Sequence, residues 1–242
     1  VVGRESGLDA IDDGFGNTGN NDYMTYALKL HADFSEKFRG GLMGYWLDGD
    51  RNAAQDVKTY GIYGGFDFTP AVTFQGIYYM QDIEGLAVND DPKSWKAQLI
   101  MKQDLLKFTS LWLEYAQEDN SFLGNNNSYF NGTDNILGFA YNWIGASPTA
   151  NRLGADQAGT SKMWLIRADQ KWNDKWSTFL RYAQFDFDTA GVDNTKNWSV
   201  GASYQYTPAI GFRLAYDDVD YGQGGTYTGS DHVISFRTTV NF

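Results

Sequence analysis

The sequence predicts an all-β fold: an antiparallel transmembrane β-barrel with an even number of strands, twelve or more. Three observations carry this expectation. Apolar and polar residues alternate with a period of two over segments of about ten residues, the length that crosses a bilayer at a tilt. The connections alternate between tight turns and long polar segments, as in barrels with short turns on one side of a membrane. Aromatic residues make up 17% of the chain and stand at the ends of the apolar faces, where interfacial girdles sit.

The closing segment sets the pattern. His232, Ile234, Phe236, Thr238, Val240 and Phe242 fall on one face of a strand, with Val233, Ser235, Arg237, Thr239 and Asn241 on the other. Trp198, Val200, Ala202, Tyr204 and Tyr206 oppose Asn197, Ser199, Gly201, Ser203 and Gln205. Ile210, Phe212, Leu214 and Tyr216 oppose Gly211, Arg213, Ala215 and Asp217, while Trp164, Ile166, Ala168 and Trp172 oppose Arg167, Asp169 and Lys171. Near the start, Met24, Tyr26, Leu28, Leu30 and Phe34 oppose Thr25, Lys29, His31 and Asp33. Further strands are expected over 38–48, 59–68, 72–82, 95–106, 108–118 and 176–186. Tight turns are expected at 35–37, 69–71, 106–107, 173–175 and 207–209; two of them share Thr-Pro-Ala, where Pro presets the turn dihedral. The long polar connections are 5–22, 48–58, 83–94, 119–161, 187–196 and 221–230.

A soluble β-sandwich buries one face of each strand and gives the same period. The aromatic ends of the apolar faces and the charges at mid-strand on the polar faces favour the barrel. Hydrocarbon does not tolerate an open sheet edge. If the short turns and the C-terminus are periplasmic, the strand at 23–34 runs downward and an upward strand must precede it. Only Val1–Arg4 is available. Either a short first strand closes a twelve-stranded barrel, or N-terminal strands of a larger barrel are missing. The whole of 1–242 is expected to form a single outer-membrane barrel domain. No signal-peptide pattern opens the chain, so an exported protein is expected to be met here in mature or truncated form.

Composition narrows the function classes. No stretch approaches the roughly 18 consecutive apolar residues of a transmembrane helix. The absence of cysteine excludes a disulfide framework and thiol catalysis. A net charge of −11 argues against nucleic acid, whose phosphates need a basic face. No cofactor is expected. Loop acids (Asp9, Asp12, Asp13, Asp90, Asp91, Asp218, Asp220) suit weak divalent-cation binding in oxygen chemistry, but no EF-hand spacing is present and solvated acidic loops explain them as well. No metal site is assigned.

A wet inner face with fixed charges is what a passive diffusion channel for small hydrophilic solutes and ions needs. By parity the basic candidates are Lys29, His31, Arg39, Lys96, Lys102, Arg167, Lys171, Arg181, Arg213 and Arg237. The acids are Asp33, Asp67, Asp104, Glu114, Asp169 and Asp217. The negative surplus of the chain then sits in the loops. Many of these charges can equally pair across strands and brace the wall. Segment 119–161 is far longer than an ordinary connection; Asp119, Asp134, Arg152 and Asp156 are its candidate constriction residues. Its Ile136, Leu137, Phe139, Tyr141 and Trp143 are expected to pack in the lumen, on the rim, or in a hairpin above the membrane. A surface protease barrel is the rival enzyme class, drawn from Asp231–His232 and Asp217–Asp218 at strand ends; no catalytic residue is assigned. A non-conducting structural or envelope-anchoring barrel is the third reading.

The stretches WLIRADQKWNDKWSTFLRYAQFDFDTAG, NWSVGASYQYTPAIGFRLAYDDVDYG and DHVISFRTTVNF, with NDYMTYALKLHADFSEKFRGG near the start, resemble the barrel part of the S-layer-homology porins of Negativicutes (the OmpM type). The resemblance implies a Gram-negative outer-membrane porin in contact with outer-membrane lipid, assembled as a homotrimer, with a peptidoglycan-binding domain before the barrel. Residues 1–242 include no such domain, a departure that supports the expectation that upstream sequence is missing.

Overall fold

A computed structural model describes residues 2–5, 23–49, 56–83, 91–107, 109–119, 122, 159–224 and 228–241. The strands are β1 (Val2–Glu5), β2 (Tyr23–Asp33), β3 (Phe38–Gly49), β4 (Val57–Thr69), β5 (Val72–Ile83) and β6 (Lys93–Met101). After a one-turn helix, α1 (Gln103–Leu106), come β7 (Ser110–Asp119), β8 (Thr160–Lys171), β9 (Trp176–Phe187), β10 (Thr195–Gln205), β11 (Ile210–Gly222) and β12 (Gly229–Val240). They form one sheet in the order β1 to β12, each strand beside its sequence neighbours, and every pairing is antiparallel. The short first strand is present as β1, which pairs with Tyr23–Tyr26 of β2. Among the described residues no register joins β1 to β12. Phe242 lies outside them.

One element differs from the expected strand over 95–106. The ladder stops at Met101, and Lys102 is extended (φ −74°, ψ 155°) before Gln103–Leu106 turn as a helix. Lys107 then adopts the left-handed region (φ 69°) and its N–H bonds to the Gln103 carbonyl at 2.7 Å. Asp104 is therefore in the first helical turn and on no strand face. A one-turn helix closes this hairpin in place of the tight turn expected at 106–107. Asp218 and Asp220 are also corrected: both lie within β11 rather than in a loop.

The two faces of the sheet differ as the sequence period requires. Along β8, Ser161, Met163 and Leu165 are buried while Lys162, Trp164 and Ile166 are exposed. The exposed face is an apolar band bounded by aromatic rings. At the long-connection end the rings run strand by strand: Tyr26, Trp46, Tyr60, Tyr78, Trp95, Tyr115, Trp164, Tyr182, Trp198 and Tyr216. Four pairs stand directly opposite: Tyr26 with Trp46, Tyr78 with Trp95, Tyr115 with Trp164, and Tyr182 with Trp198. Elsewhere the belt steps by two residues as strand tilt requires, with ring centroids 6.1 Å apart for Trp46–Tyr60 and 5.1 Å for Trp198–Tyr216. Near the short turns a second belt includes Phe34–Phe38 (5.2 Å), Trp176–Tyr204 (4.6 Å) and Phe212–Phe236 (6.0 Å). Between the belts lie Leu28, Leu42, Ile62, Leu180 and Leu214, all exposed.

This outward face also carries a transverse row of small residues. Ala32 stands opposite Gly40, Gly40 opposite Gly64, Gly64 opposite Gly76, and Gly76 opposite Ala97. Bulky rows flank it: Phe38, Phe66 and Phe74 on one side, and Leu42, Ile62 and Tyr78 on the other. A Cβ at Gly64 meets only the Arg39 carbonyl oxygen, at 3.6 Å, so packing within this chain leaves room there for a side chain.

The inner face of β7–β11 holds the larger apolar cluster: Ala116, Met163, Leu165, Ala183, Phe185, Phe187, Val219 and Tyr221, with Trp112, Val192 and Val233 against it. The smaller one is Ile77, Tyr79 and Phe122, with Met43 and Tyr63 against it.

Candidate functional site: the inner face of the sheet

The cross-strand registers gather the polar residues of alternate positions onto the inner face. Asp33 stands opposite Arg39 and His31 opposite Gly41. Gln98 stands opposite Glu114, and Glu114 opposite Leu165. Arg167 stands opposite Arg181, Arg181 opposite Ser199, Ser199 opposite Asp217, and Arg213 opposite Arg237. Lys29, Lys96, Asp169 and Lys171 share this register. Lys102 follows the last residue of β6, and its N–H continues the ladder to the Ala71 carbonyl at 2.8 Å.

Sharing a face does not make these charges equivalent, because solvent reaches them unequally. Two groups are locked in. Lys96 and Glu114 are both buried and form an ion pair at 3.8 Å. Glu114 also accepts hydrogen bonds from Gln98 Nε2 and from Trp112 Nε1 (3.3 Å), and Gln98 accepts one from Gln75 at 2.6 Å. Arg181 (5% exposed) and Asp217 (1% exposed) form the second pair, at 3.4 Å. Arg181 donates to Ser199 Oγ at 2.9 Å, and the Ser199 hydroxyl donates to Asp217. A buried charge is tolerated when paired and hydrogen-bonded. These networks cross-link β5 to β7 and β9 to β11.

The remaining charges of this face are exposed or half-buried. On β2, Lys29, His31 and Asp33 are exposed. The His31 ring stacks on Tyr63 with Nδ1 2.9 Å from its hydroxyl, Lys29 Nζ lies 5.1 Å from the Tyr63 ring centre, and Asp33 is 3.3 Å from His31 Nε2. Arg39 donates to Asp67 at 2.7 Å, and Asp67 accepts a second bond from Thr73 at 2.6 Å. Arg167 holds Asp169 through two parallel bonds of 2.7 and 2.8 Å. Lys171 reaches Asp174 of the following turn at 3.1 Å. Arg213 lies over the Phe179 ring at 4.3 Å and Arg167 at 5.8 Å. Arg237 is exposed.

Parity finds these charged residues but leaves out the aromatic and amide groups that fix them. Tyr63, Gln98, Trp112 and Phe179 share the inner register, and the same period-two count was enough to include them.

Of the residues proposed for a constriction, Asp119 ends β7 and accepts the Lys93 backbone N–H at 2.8 Å. Asp134, Arg152 and Asp156, like Ile136, Leu137, Phe139, Tyr141 and Trp143, lie outside the described residues, as do Asp9, Asp12, Asp13 and Asp90. Phe122 is described. Its ring packs inward, 6.1 Å from that of Tyr79 on β5.

The residues of the protease reading divide between faces. His232 faces outward, with Nδ1 2.8 Å from Asp218 and its ring stacked on Tyr216. Asp217 faces inward and holds Arg181. Among the described residues, no cluster of three or more His, Asp and Glu groups is arranged to hold a metal ion.

No protein-family model matches the chain, and no curated protein matches it. Solved structures do. A porin aligns with 94% of this chain and 64% of its own at 17% identity and a TM-score of 0.58. OccK5 (OpdH) of Pseudomonas aeruginosa aligns with 100% of this chain and 63% of its own at 12% identity and a TM-score of 0.58. The outer membrane protein OprD of the same organism aligns with 93% and 59% at 14% identity and a TM-score of 0.56. The chain spans about three fifths of the length of these structures. An antiparallel sheet with an aromatic-bounded apolar exterior and a charged inner face, aligned over 93–100% of its length with such structures, has the fold of an outer-membrane porin barrel.

Proposed function

We propose that this chain forms the wall of a passive diffusion channel for small hydrophilic solutes and ions in the outer membrane of a Gram-negative bacterium. The observation that carries this reading is the division between its two faces. The outward face offers hydrocarbon an apolar band between two aromatic belts. The inner face keeps charges within reach of water: Lys29, His31, Asp33, Lys171 and Arg237 are exposed, and Arg39, Arg167, Asp169 and Arg213 are half-buried. A path lined this way replaces part of an ion's hydration without binding it tightly, which diffusion down a gradient requires. Lys96, Glu114, Arg181 and Asp217 share the face but act as braces. Their pairing spends their fields on each other.

The same reading extends to a homotrimer, the assembly that the sequence resemblance implies. It is supported by the outward row Ala32–Gly40–Gly64–Gly76–Ala97, whose width between bulky rows admits side chains of a neighbouring barrel.

Planar-bilayer recording of the purified, folded chain tests the channel. Stable conductance steps that scale with bulk salt conductivity are expected. A second reading, a non-conducting barrel, draws on the apolar cluster that covers the inner face of β7–β11. A silent bilayer with correctly folded protein decides for that reading.

A further inference from the structure

Four strands carry the same three-residue pattern at their start: Lys58-Thr59-Tyr60 in β4, Lys93-Ser94-Trp95 in β6, Lys162-Met163-Trp164 in β8 and Lys196-Asn197-Trp198 in β10. The middle residue of each is buried on the inner face, so the lysine and the ring share the outward face. The rings belong to the belt at the long-connection end. Among the described strands these four are the outward-facing lysines; Lys29, Lys96 and Lys171 face inward. Lys93, Lys162 and Lys196 are exposed and Lys58 is half-exposed. On the intervening strands the same step beyond the ring holds Met80, Gln117, Gln184 and Asp218. The cation therefore recurs on alternate strands, about 10 Å apart, on the scale of one lipid headgroup.

Depth agrees with that spacing. Two residues span about 6.6 Å of strand, or about 5 Å along the membrane normal at a tilt near 40°. Aromatic belts sit at the headgroup level, and the polar layer beyond the hydrocarbon is roughly 5–8 Å deep on each side. Each lysine thus stands within that layer. Acids face these lysines across the ladder. Asp82 lies 3.8 Å from Lys58. Asp119 accepts the Lys93 backbone N–H at 2.8 Å, Asp186 accepts from Gln184 Nε2 at 2.6 Å, and Asp220 accepts the Gly222 N–H at 3.0 Å. These short acids bond to the protein wall, whereas a lysine stem carries its charge outward along the apolar surface.

We propose that Lys58, Lys93, Lys162 and Lys196 bind the phosphates of anionic membrane lipids at the long-connection end, one headgroup to each alternate strand. The ammonium takes the phosphate, and the Tyr or Trp ring below it packs on the upper part of the chains. The proposal rests on the outer-membrane barrel reading and is independent of conduction.

Quenching of tryptophan fluorescence by brominated lipid tests it, because Trp95, Trp164 and Trp198 stand two residues from three of the lysines and Trp46 stands opposite Lys58. The full chain is folded into mixed vesicles of phosphatidylcholine and phosphatidylglycerol, with bromine on one lipid or the other. At about 1 kcal/mol per lysine, phosphatidylglycerol should be preferred about fivefold at each site at low salt, and roughly twofold or more when all tryptophans are averaged. Changing Lys58, Lys93, Lys162 and Lys196 together to Gln is expected to abolish the preference, and changing the same four to Arg to keep it. Lys29→Gln, on the inner face, is expected to leave it unchanged. If the fourfold Gln variant does not fold, Lys162→Gln and Lys196→Gln are compared singly, each lowering the preference. Equal quenching by the two lipids in the wild type overturns the proposal, as does a preference that survives the Gln substitutions. Inorganic phosphate that removes the preference where chloride of equal ionic strength does not identifies a soluble-anion site and overturns the lipid assignment. Failure to insert into either vesicle overturns the barrel reading along with the proposal.

Discussion

Replacing Asp217 by Asn tests whether the inner face of β9–β11 is dry wall or wet lining. The substitution keeps the shape and removes one charge. Arg181, at 5% exposure, then keeps its charge beside a neutral amide, and the Ser199 hydroxyl loses a charged acceptor. Breaking a buried pair on one side costs about 3–5 kcal/mol, whereas replacing both partners by apolar groups of similar volume is near neutral. Arg181→Met combined with Asp217→Leu should therefore recover most of what Asp217→Asn loses. Urea unfolding of the protein folded in phospholipid vesicles, followed by the fluorescence of its eight tryptophans, measures this. With a slope of about 2 kcal/mol per M, the midpoint of Asp217→Asn should fall by about 1.5–2.5 M. A fall of less than roughly 0.5 M, with additive single and double variants, refutes the dry-wall argument and returns Arg181 and Asp217 to the solute path.

Three further outcomes follow from the packing. Gly201→Ala places a methyl 2.3 Å from a Phe179 ring carbon and 2.7 Å from the Leu214 carbonyl oxygen, and should cost about 1–3 kcal/mol in the same unfolding assay. Gly64→Ala meets its nearest atom at 3.6 Å and should shift stability by less than about 0.5 kcal/mol. Leu180→Arg, on the outward face between the belts, should cost about 2–4 kcal/mol, while Ser235→Arg, on the inner face, should stay within about 0.5 kcal/mol; similar costs at both sites would refute the assignment of faces.

Period-two alternation made most of the fold legible. It identified the strands near 164–171, 197–205, 210–217 and 232–240 with the correct faces, because one side of each is apolar and the other is mostly polar. Where glycine replaces side chains, in β3 and β4, the period weakens. The facing of Gly40, Gly41, Gly64 and Gly65 is legible only from the registers with β2 and β5. The α1 turn is not legible from the strand period, because Lys102–Lys107 follows the β6 ladder directly and only its dihedrals, which leave the strand region, end the strand. For the site, parity reports which face a charge is on but not whether water reaches it. Lys96 and Lys29 look alike in the sequence. One is sealed against Glu114 and the other is open beside Tyr63, and that difference arises from side chains contributed by neighbouring strands.

The aromatic belts have a further consequence, for the membrane rather than for the solute. On β9 and on β10 the anchoring rings, Trp176 and Tyr182, then Trp198 and Tyr204, are six residues apart along the strand. At about 3.3 Å per residue that is roughly 20 Å of strand, and a tilt near 40° shortens it to about 15 Å along the membrane normal. Rings fixed at both ends act as a gauge of hydrocarbon depth. A lipid layer much deeper than this must thin around the protein or force the strands upright, at fractions of a kcal/mol per Å of mismatch. On the proposed channel reading the gauge is shallow beside β9 and β10 and deeper beside β2 and β3, where Tyr26 and Phe34, and Phe38 and Trp46, stand eight residues apart.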